Sequence, residues 1–200
     1  MEDVYKTLAA PSEEALYKEK SSKFFGYAFP VISEEDIKTA LDAVRKQHPT
    51  ARHWCYAWQL GTDTIRYRAN DDGEPSGTAG RPILGQINAR NLSNVLVVVV
   101  RYFGGVLLGT SGLINAYKLS AAEALDAAEI IEVDVLETFD VLFDYPLMNE
   151  VMRIVKDCNL KVLQQDFRES CCLTLACYPS KLELIKEKFE DVYGVGVRNE

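Results

Sequence analysis

Histidine is nearly absent from this chain: His48 and His53 are the only two in 200 residues. Any Ser/His/Asp or Cys/His catalytic set would have to be built on one of these two imidazoles, and the sequence marks none. The five cysteines, Cys55, Cys158, Cys171, Cys172 and Cys177, are odd in number and contain no CxxC pair. They fit neither a secreted disulfide framework nor, with no histidine in the second half, a zinc site. Adjacent Cys171 and Cys172 are expected on opposite faces of a strand, as small hydrophobes. Long apolar runs are also missing. The longest, Val95–Val100, is far too short to span a bilayer, and Met1–Ala10 lacks the apolar core of a secretory leader. The expectation is a reduced, cytoplasmic protein without a membrane segment.

The most local absence is of negative charge. The chain has 30 acidic against 22 basic residues and a net charge of −8, which disfavours indiscriminate binding to nucleic acid or anionic membrane. Yet no Asp or Glu occurs from Pro75 to Ala122, a segment that carries Arg81, Arg90, Arg101 and Lys118. Any phosphate contact would be local and oriented. The length suits one large domain or two small ones, and 48% apolar content is enough for a real core.

Within that segment, Asn94–Lys118 reads NVLVVVVRYFGGVLLGTSGLINAYK. A β-branched strand ends at Arg101, glycines Gly104 and Gly105 follow, and Gly109-Thr110-Ser111-Gly112 opens a helix. Free N–H groups at a helix start attract anions, by roughly 0.3–1 kcal/mol for the dipole. The spacing of Gly104 and Gly109 matches a P-loop, but Thr110 replaces the lysine and Val106-Leu107-Leu108 is an apolar lining, so a P-loop is rejected. The competing reading gives the glycines to tight packing or positive φ and Thr110 or Ser111 to capping. On this motif alone the two readings stand level.

A second loop, Asp71-Asp72-Gly73-Glu74-Pro75-Ser76-Gly77-Thr78-Ala79-Gly80-Arg81-Pro82, also feeds a helix. Asp71, Asp72 and Glu74 could hold a divalent cation or serve as an acid/base pair. The EF-hand spacing is absent, and a polar turn with capping carboxylates is the simpler reading. A third stretch, Arg52-His53-Trp54-Cys55-Tyr56-Ala57-Trp58, interleaves basic and aromatic groups as base-stacking surfaces do. Its Trp54, Tyr56 and Trp58 share one strand face, and a core role is the stronger reading.

Hydrophobic period and breakers predict strands at 14–20 and 23–31, and a helix from an N-cap at Ser33, with Asp36 at N3, to Pro49. A hairpin follows at 54–60 and 64–69, a helix at 79–89, a strand at 95–102 and a helix at 111–128. Beyond Glu129 the predicted order is strand 133–145, helix 146–157, strands 160–167 and 170–178, helix 179–189 and strand 192–197. That is a ferredoxin-like β-α-β-β-α-β pattern. The fold class is α+β, in two domains of residues 1–131 and 132–200.

The Asp71–Gly80 loop, together with Val100-Arg101-Tyr102-Phe103-Gly104-Gly105, Leu108-Gly109 and Gly112-Leu113, resembles the signature of the YigZ/IMPACT family. Ala51-Arg52-His53 and Ala116-Tyr117 fit it too, and Ser111 stands where members often have glycine. The resemblance implies a first domain with the fold shared by domain IV of elongation factor G, a small-subunit ribosomal protein domain and the GHMP kinases. It implies a second, ferredoxin-like domain similar to domain V of that factor. For eukaryotic relatives it implies translational control by competition for the activator of an amino-acid-starvation kinase, and it brings no settled catalytic activity.

Three functions stay open. The leading one is a non-catalytic, translation-associated regulatory protein that takes no cofactor. It would bind RNA, the ribosome or a ribosome-linked partner through Arg81, Arg101, Lys118, Gly104, Gly105, Gly109, Thr110 and Ser111, with Ser76, Gly77 and Thr78 from the second loop. The second is a nucleotide- or phosphate-binding enzyme of GHMP-kinase-like fold, with Mg²⁺ at Asp71, Asp72 or Glu74. The third is a protein-interaction adaptor using Phe103–Leu108.

Overall fold

The computed structural model describes residues 3–168 and 170–199. Tyr5–Val133 form one unit; the residues from Asp134 onward, with Asp3 and Val4, form another. Up to the boundary the elements are β1 (Val4–Leu8), β2 (Ala15–Glu19), β3 (Ser22–Pro30), α1 (Glu34–Gln47), β4 (His53–Leu60), β5 (Arg66–Asn70), α2 (Gly80–Ala89), β6 (Val95–Tyr102), α3 (Gly109–Asp126) and β7 (Ile130–Asp134).

β6 is the centre of a five-stranded antiparallel sheet of order β2-β3-β6-β4-β5. Its odd residues Val95, Val97 and Val99 join Phe24, Cys55, Ile83, Ile87, Tyr117 and Leu125 in a core under α2 and α3. Its even residues Leu96, Val98 and Val100 meet Ile37, Leu41 and Val44 of α1 on the other face. A strand covered on both faces needs apolar side chains at every position, which is why β6 does not alternate. Trp54 and Trp58 pack, partly buried, against the α1 core, where Tyr56 is buried. α1 starts in a full capping box: the Asp36 N–H donates to Ser33 Oγ (3.1 Å) and the Ser33 N–H to Asp36 Oδ2 (2.9 Å).

The second unit runs β8 (Glu137–Phe143), α4 (Met148–Asp157), β9 (Lys161–Phe167), β10 (Cys171–Cys177), α5 (Leu182–Glu190) and β11 (Gly196–Asn199). Its sheet is antiparallel, in the order β11-β8-β10-β9. Alternate residues Phe139, Val141, Phe143, Cys171, Leu173 and Leu175 meet Val151 and Val155 of α4 and Ile185 and Phe189 of α5. The protein is thus a mixed α+β structure with several sheets. No described helix is long and apolar enough to cross a membrane.

Several boundaries differ from the sequence reading. β1 was not expected; it pairs with β7 in a separate two-stranded sheet. The strand expected at 133–145 is two strands, β7 and β8, interrupted at Val135-Leu136 because they pair in different sheets. α3 begins at Gly109, two residues earlier than expected. The helices expected from Pro146 and Pro179 open with 3-10 turns, Tyr145–Leu147 and Pro179–Lys181, before α4 and α5. The last strand lies at Gly196–Asn199.

Candidate functional site

The end of β6 gathers the groups of interest. Antiparallel register places Phe24 and His53 opposite Arg101, on β3 and β4, and Lys23 opposite Tyr102. Arg101 follows the parity of Val97 and Val99, so its side chain enters the α2/α3 side of the sheet. There it is 7% exposed and pairs with Glu74 Oε1 at 2.7 Å, the Glu74 side chain being 4% exposed. The Tyr117 hydroxyl donates to the same oxygen at 2.7 Å. Cys55 Sγ lies 3.3 Å from the Tyr117 oxygen and 3.0 Å from the Asp71 carbonyl, with one S–H to share between them. The guanidinium sits 5.6 and 5.5 Å from the ring centroids of Phe24 and Phe103, within cation–π range. Its buried Nε has no acceptor among the described residues. Burial, followed by nearby negative charge, pushes the Cys55 thiol well up, so it is a poor nucleophile. Burial raises the Tyr117 phenol likewise.

The acidic loop serves backbone groups. Asp71 accepts the N–H groups of Gly77 (2.8 Å), Ala79 (3.0 Å) and Gly80 (2.8 Å) at the start of α2. Burial alone would raise its carboxyl. The three N–H donors, with the Arg81 charge, outweigh burial and hold it below the usual range. Asp72 Oδ2 accepts the Trp54 N–H at 2.7 Å, and the Asp72 carbonyl lies 2.9 Å from His53 Nδ1. Among the described residues no three His, Cys, Asp or Glu side chains cluster as metal ligands.

Asp71→Asn is expected to cost about 1–2 kcal/mol, as loss of a helix cap does. The sign with pH follows from the lowered carboxyl. The wild-type advantage is present above the unfolded carboxylate value, about 3.9, and is lost as pH falls through the folded one. Urea midpoints of the two proteins should therefore differ at neutral pH and converge in acid; a constant gap would reject the charged-cap role.

The remaining expected residues divide by exposure. Gly104 packs on the Ser21-Ser22 turn and donates its N–H to Ser22 Oγ at 3.1 Å, while Gly105 (φ +87°) and Gly109 (φ +72°) use left-handed backbone in open space. α3 has no side-chain cap. Gly109, Thr110 and Ser111 in its first turn are exposed, as are Ser76, Arg81 and Lys118. Thr78 is buried and its hydroxyl donates to the Pro75 carbonyl at 2.6 Å. The Asp71–Gly80 loop is therefore tied through Glu74 to Arg101 on β6 and Tyr117 on α3, the elements on either side of the glycine turn. Thr110 and Ser111 lie roughly 9–11 Å along the helix from Tyr117.

Sequence reasoning did not find the two cavities beside Phe103, which is 55% exposed. One, of about 280 Å³, is lined by Arg52, His53, Arg101, Tyr102 and Phe103 among others. The other, of about 350 Å³, is lined by Ser21, Lys23, Phe25, His48, Tyr102 and Phe103. Neither has a carboxylate in its described lining. A sequence signal did exist for part of this: Arg101 is the one charge on a strand otherwise buried on both faces, and such a charge requires a partner.

Comparison with known proteins gives a consistent grouping. A family model described as the Impact N-terminal domain matches residues 20–125. The IMPACT family member YigZ of Escherichia coli is 32% identical over 174 residues, 86% of this chain and 85% of its own. The IMPACT family member YvyE of Bacillus subtilis is 32% identical over 166 residues, 83% of this chain and 76% of its own. A crystal structure of a hypothetical protein aligns at a TM-score of 0.70 and 28% identity, covering 100% of this chain and 98% of that one.

Proposed function

We propose, from the premise that this chain belongs to the IMPACT family, that it is a translation-associated regulatory protein that binds single-stranded RNA at the Phe103 end of its five-stranded sheet without catalysing a reaction. The observation that carries this reading is the pair of carboxylate-free cavities sharing the exposed Phe103, with Lys23 on one side and Arg52 on the other. In a chain of net charge −8, such a place attracts phosphates locally while the rest of the surface discourages non-specific association. An exposed ring beside cations is how single strands are held, with stacking worth about 1–3 kcal/mol per base. Catalysis is less well served. The buried Cys55 and Tyr117 are held in their protonated forms, and Asp71, Asp72 and Glu74 are engaged by the fold. The element order and the β11-β8-β10-β9 strand order support the ferredoxin-like reading of the second unit. The elongation-factor-like reading of the first rests on the family resemblance.

The test is fluorescence anisotropy with a labelled single-stranded RNA. Two or three phosphate contacts should weaken binding roughly tenfold between about 50 and 200 mM salt. The exposed pair Lys23→Ala and Arg52→Ala should flatten that slope by removing about two of those contacts. RNA that does not bind, or a slope the double variant leaves unchanged, rejects the site. Strong salt-independent capture of a protein instead would favour the adaptor reading, for which Leu107, 83% exposed, and Val106, 50% exposed, offer the surface.

A further inference from the structure

The larger cavity beside Phe103 ends in a hydrogen-bonded chain whose proton positions follow from counting donors. The Tyr27 hydroxyl has one proton and gives it to Glu14 Oε2, a carboxylate that can only accept. The Tyr27 oxygen accepts from Gln47 Nε2 at 3.1 Å and faces His48 Nε2 at 2.5 Å. Only the imidazole can supply the proton of that second contact, so His48 carries its hydrogen on Nε2. His48 is 7% exposed, and burial lowers its pKa despite the opposing Glu14 charge, which favours the neutral ring. Nδ1 is therefore bare and accepts from the Tyr102 hydroxyl at 3.1 Å. With its proton committed there, the Tyr102 oxygen can offer a ligand only an acceptor lone pair.

The cavity walls are flat and apolar. The Phe25 ring lies 4.9 Å from the His48 ring and 5.7 Å from the Tyr102 ring, centroid to centroid. Phe103 forms another part of the lining, and the exposed Lys23 and Ser21 complete it. A volume of about 350 Å³ is at the small end of ligand sites, roughly 300–1,000 Å³. Aromatic walls, the Tyr102 acceptor, the Ser21 hydroxyl and one cation suit a flat heterocycle that bears an amino group and is attached to a phosphate.

We infer that this cavity reads one unpaired base of a bound RNA, with the Tyr102 oxygen accepting from the exocyclic amino group of adenine, cytosine or guanine. Uracil lacks that group. Its imide N–H is flanked by two carbonyl oxygens that would face the Tyr102 oxygen. The inference rests on the RNA-binding reading and adds to it a base preference set by the Glu14–Tyr27–His48–Tyr102 chain.

The experiment compares oligo(A), oligo(C), oligo(U) and an abasic strand of equal length, at one salt concentration, on the full chain. The wild type should prefer oligo(A) and oligo(C) to oligo(U) by about threefold to tenfold, the value of one hydrogen bond. It should bind the abasic strand at least about fivefold more weakly than oligo(A), through lost stacking. Tyr102→Phe keeps the ring and should abolish the A-over-U preference without changing the salt slope. Phe103→Ala, at an exposed position, should weaken all base-bearing strands towards the abasic level, a readout that survives even if Tyr102→Phe disturbs the His48 pairing. Equal binding of all four strands, or a preference for oligo(U), overturns the base site and leaves the phosphate contacts standing. No binding by any strand overturns the RNA reading itself.

Discussion

Arg101→Ala is expected to lower folding stability by about 3–5 kcal/mol, the usual result of removing one member of a buried ion pair. The reason is the charge left behind. Glu74 is as deeply buried as Arg101, and without the guanidinium the Tyr117 hydroxyl would be left, among the described residues, to stabilise its carboxylate. The cation–π contacts with Phe24 and Phe103 would go as well. Replacing both partners, Glu74→Gln with Arg101→Met, should recover most of the loss, because no unpaired charge is then enclosed. Guanidinium denaturation of the two variants and the wild type decides the matter. A single variant within about 0.5 kcal/mol of wild type, the range of ordinary surface substitutions, would show that the pair is not enclosed. It follows that lost RNA binding in Arg101→Ala alone would report unfolding as readily as a lost phosphate contact. Lys23 and Arg52 are the informative positions, since both are exposed.

Gly104→Ala should be nearly as damaging, and its neighbour should not. A Cβ on Gly104 would stand 2.0 Å from the Ser21 carbonyl carbon, 2.2 Å from its oxygen and 2.3 Å from the Ser22 nitrogen. These are backbone atoms of a turn in which Lys20 (φ +44°) and Ser21 (φ +67°) are already left-handed, so they have little room to retreat. A cost of about 3 kcal/mol or more is expected, at or beyond the upper end for overpacking. Gly105→Ala meets nothing within 4 Å and only has to adopt φ near +87°, a strain of about 1–2 kcal/mol. Thermal melts followed by circular dichroism should therefore separate two adjacent glycines by several degrees. Equal melting temperatures would mean that β6 does not leave the sheet against the Ser21-Ser22 turn.

The elements that local chemistry specifies were legible in the sequence. The Ser33/Asp36 box marks α1, and the unbroken apolar run of β6 announces a strand covered on both faces. What depends on distant partners was not. β1 carries little signal of its own and exists as a strand by pairing with β7. The break at Val135-Leu136 reflects a change of sheet, which no hydrophobic period reports. The two loops at 71–80 and 103–112 stood out as a pair. Their chemistry was hidden because it depends on which carboxylate meets which donor: Asp71 takes the N–H groups of α2, and Glu74 takes Arg101 and Tyr117. The aromatic cavity was invisible for the same reason, since Phe25, His48 and Tyr102 come from β3, the end of α1 and β6.

The position of β6 also bears on how the chain acquires its structure during synthesis. The strand at the middle of the sheet is the last of the five to be made; β2-β3 and β4-β5 flank it as two hairpins. Each hairpin can close within about 1–10 μs, but β3 and β4 then present unpaired edges until the chain has grown from Asn70 to Tyr102. At about 5–20 residues per second that wait is roughly 2–6 s. Throughout it the nascent chain carries two open, largely apolar strand edges, the arrangement most prone to wrong pairing. Insertion of β6 closes both at once, so completion of the five-stranded sheet is a single late event that depends on the Val95–Tyr102 segment.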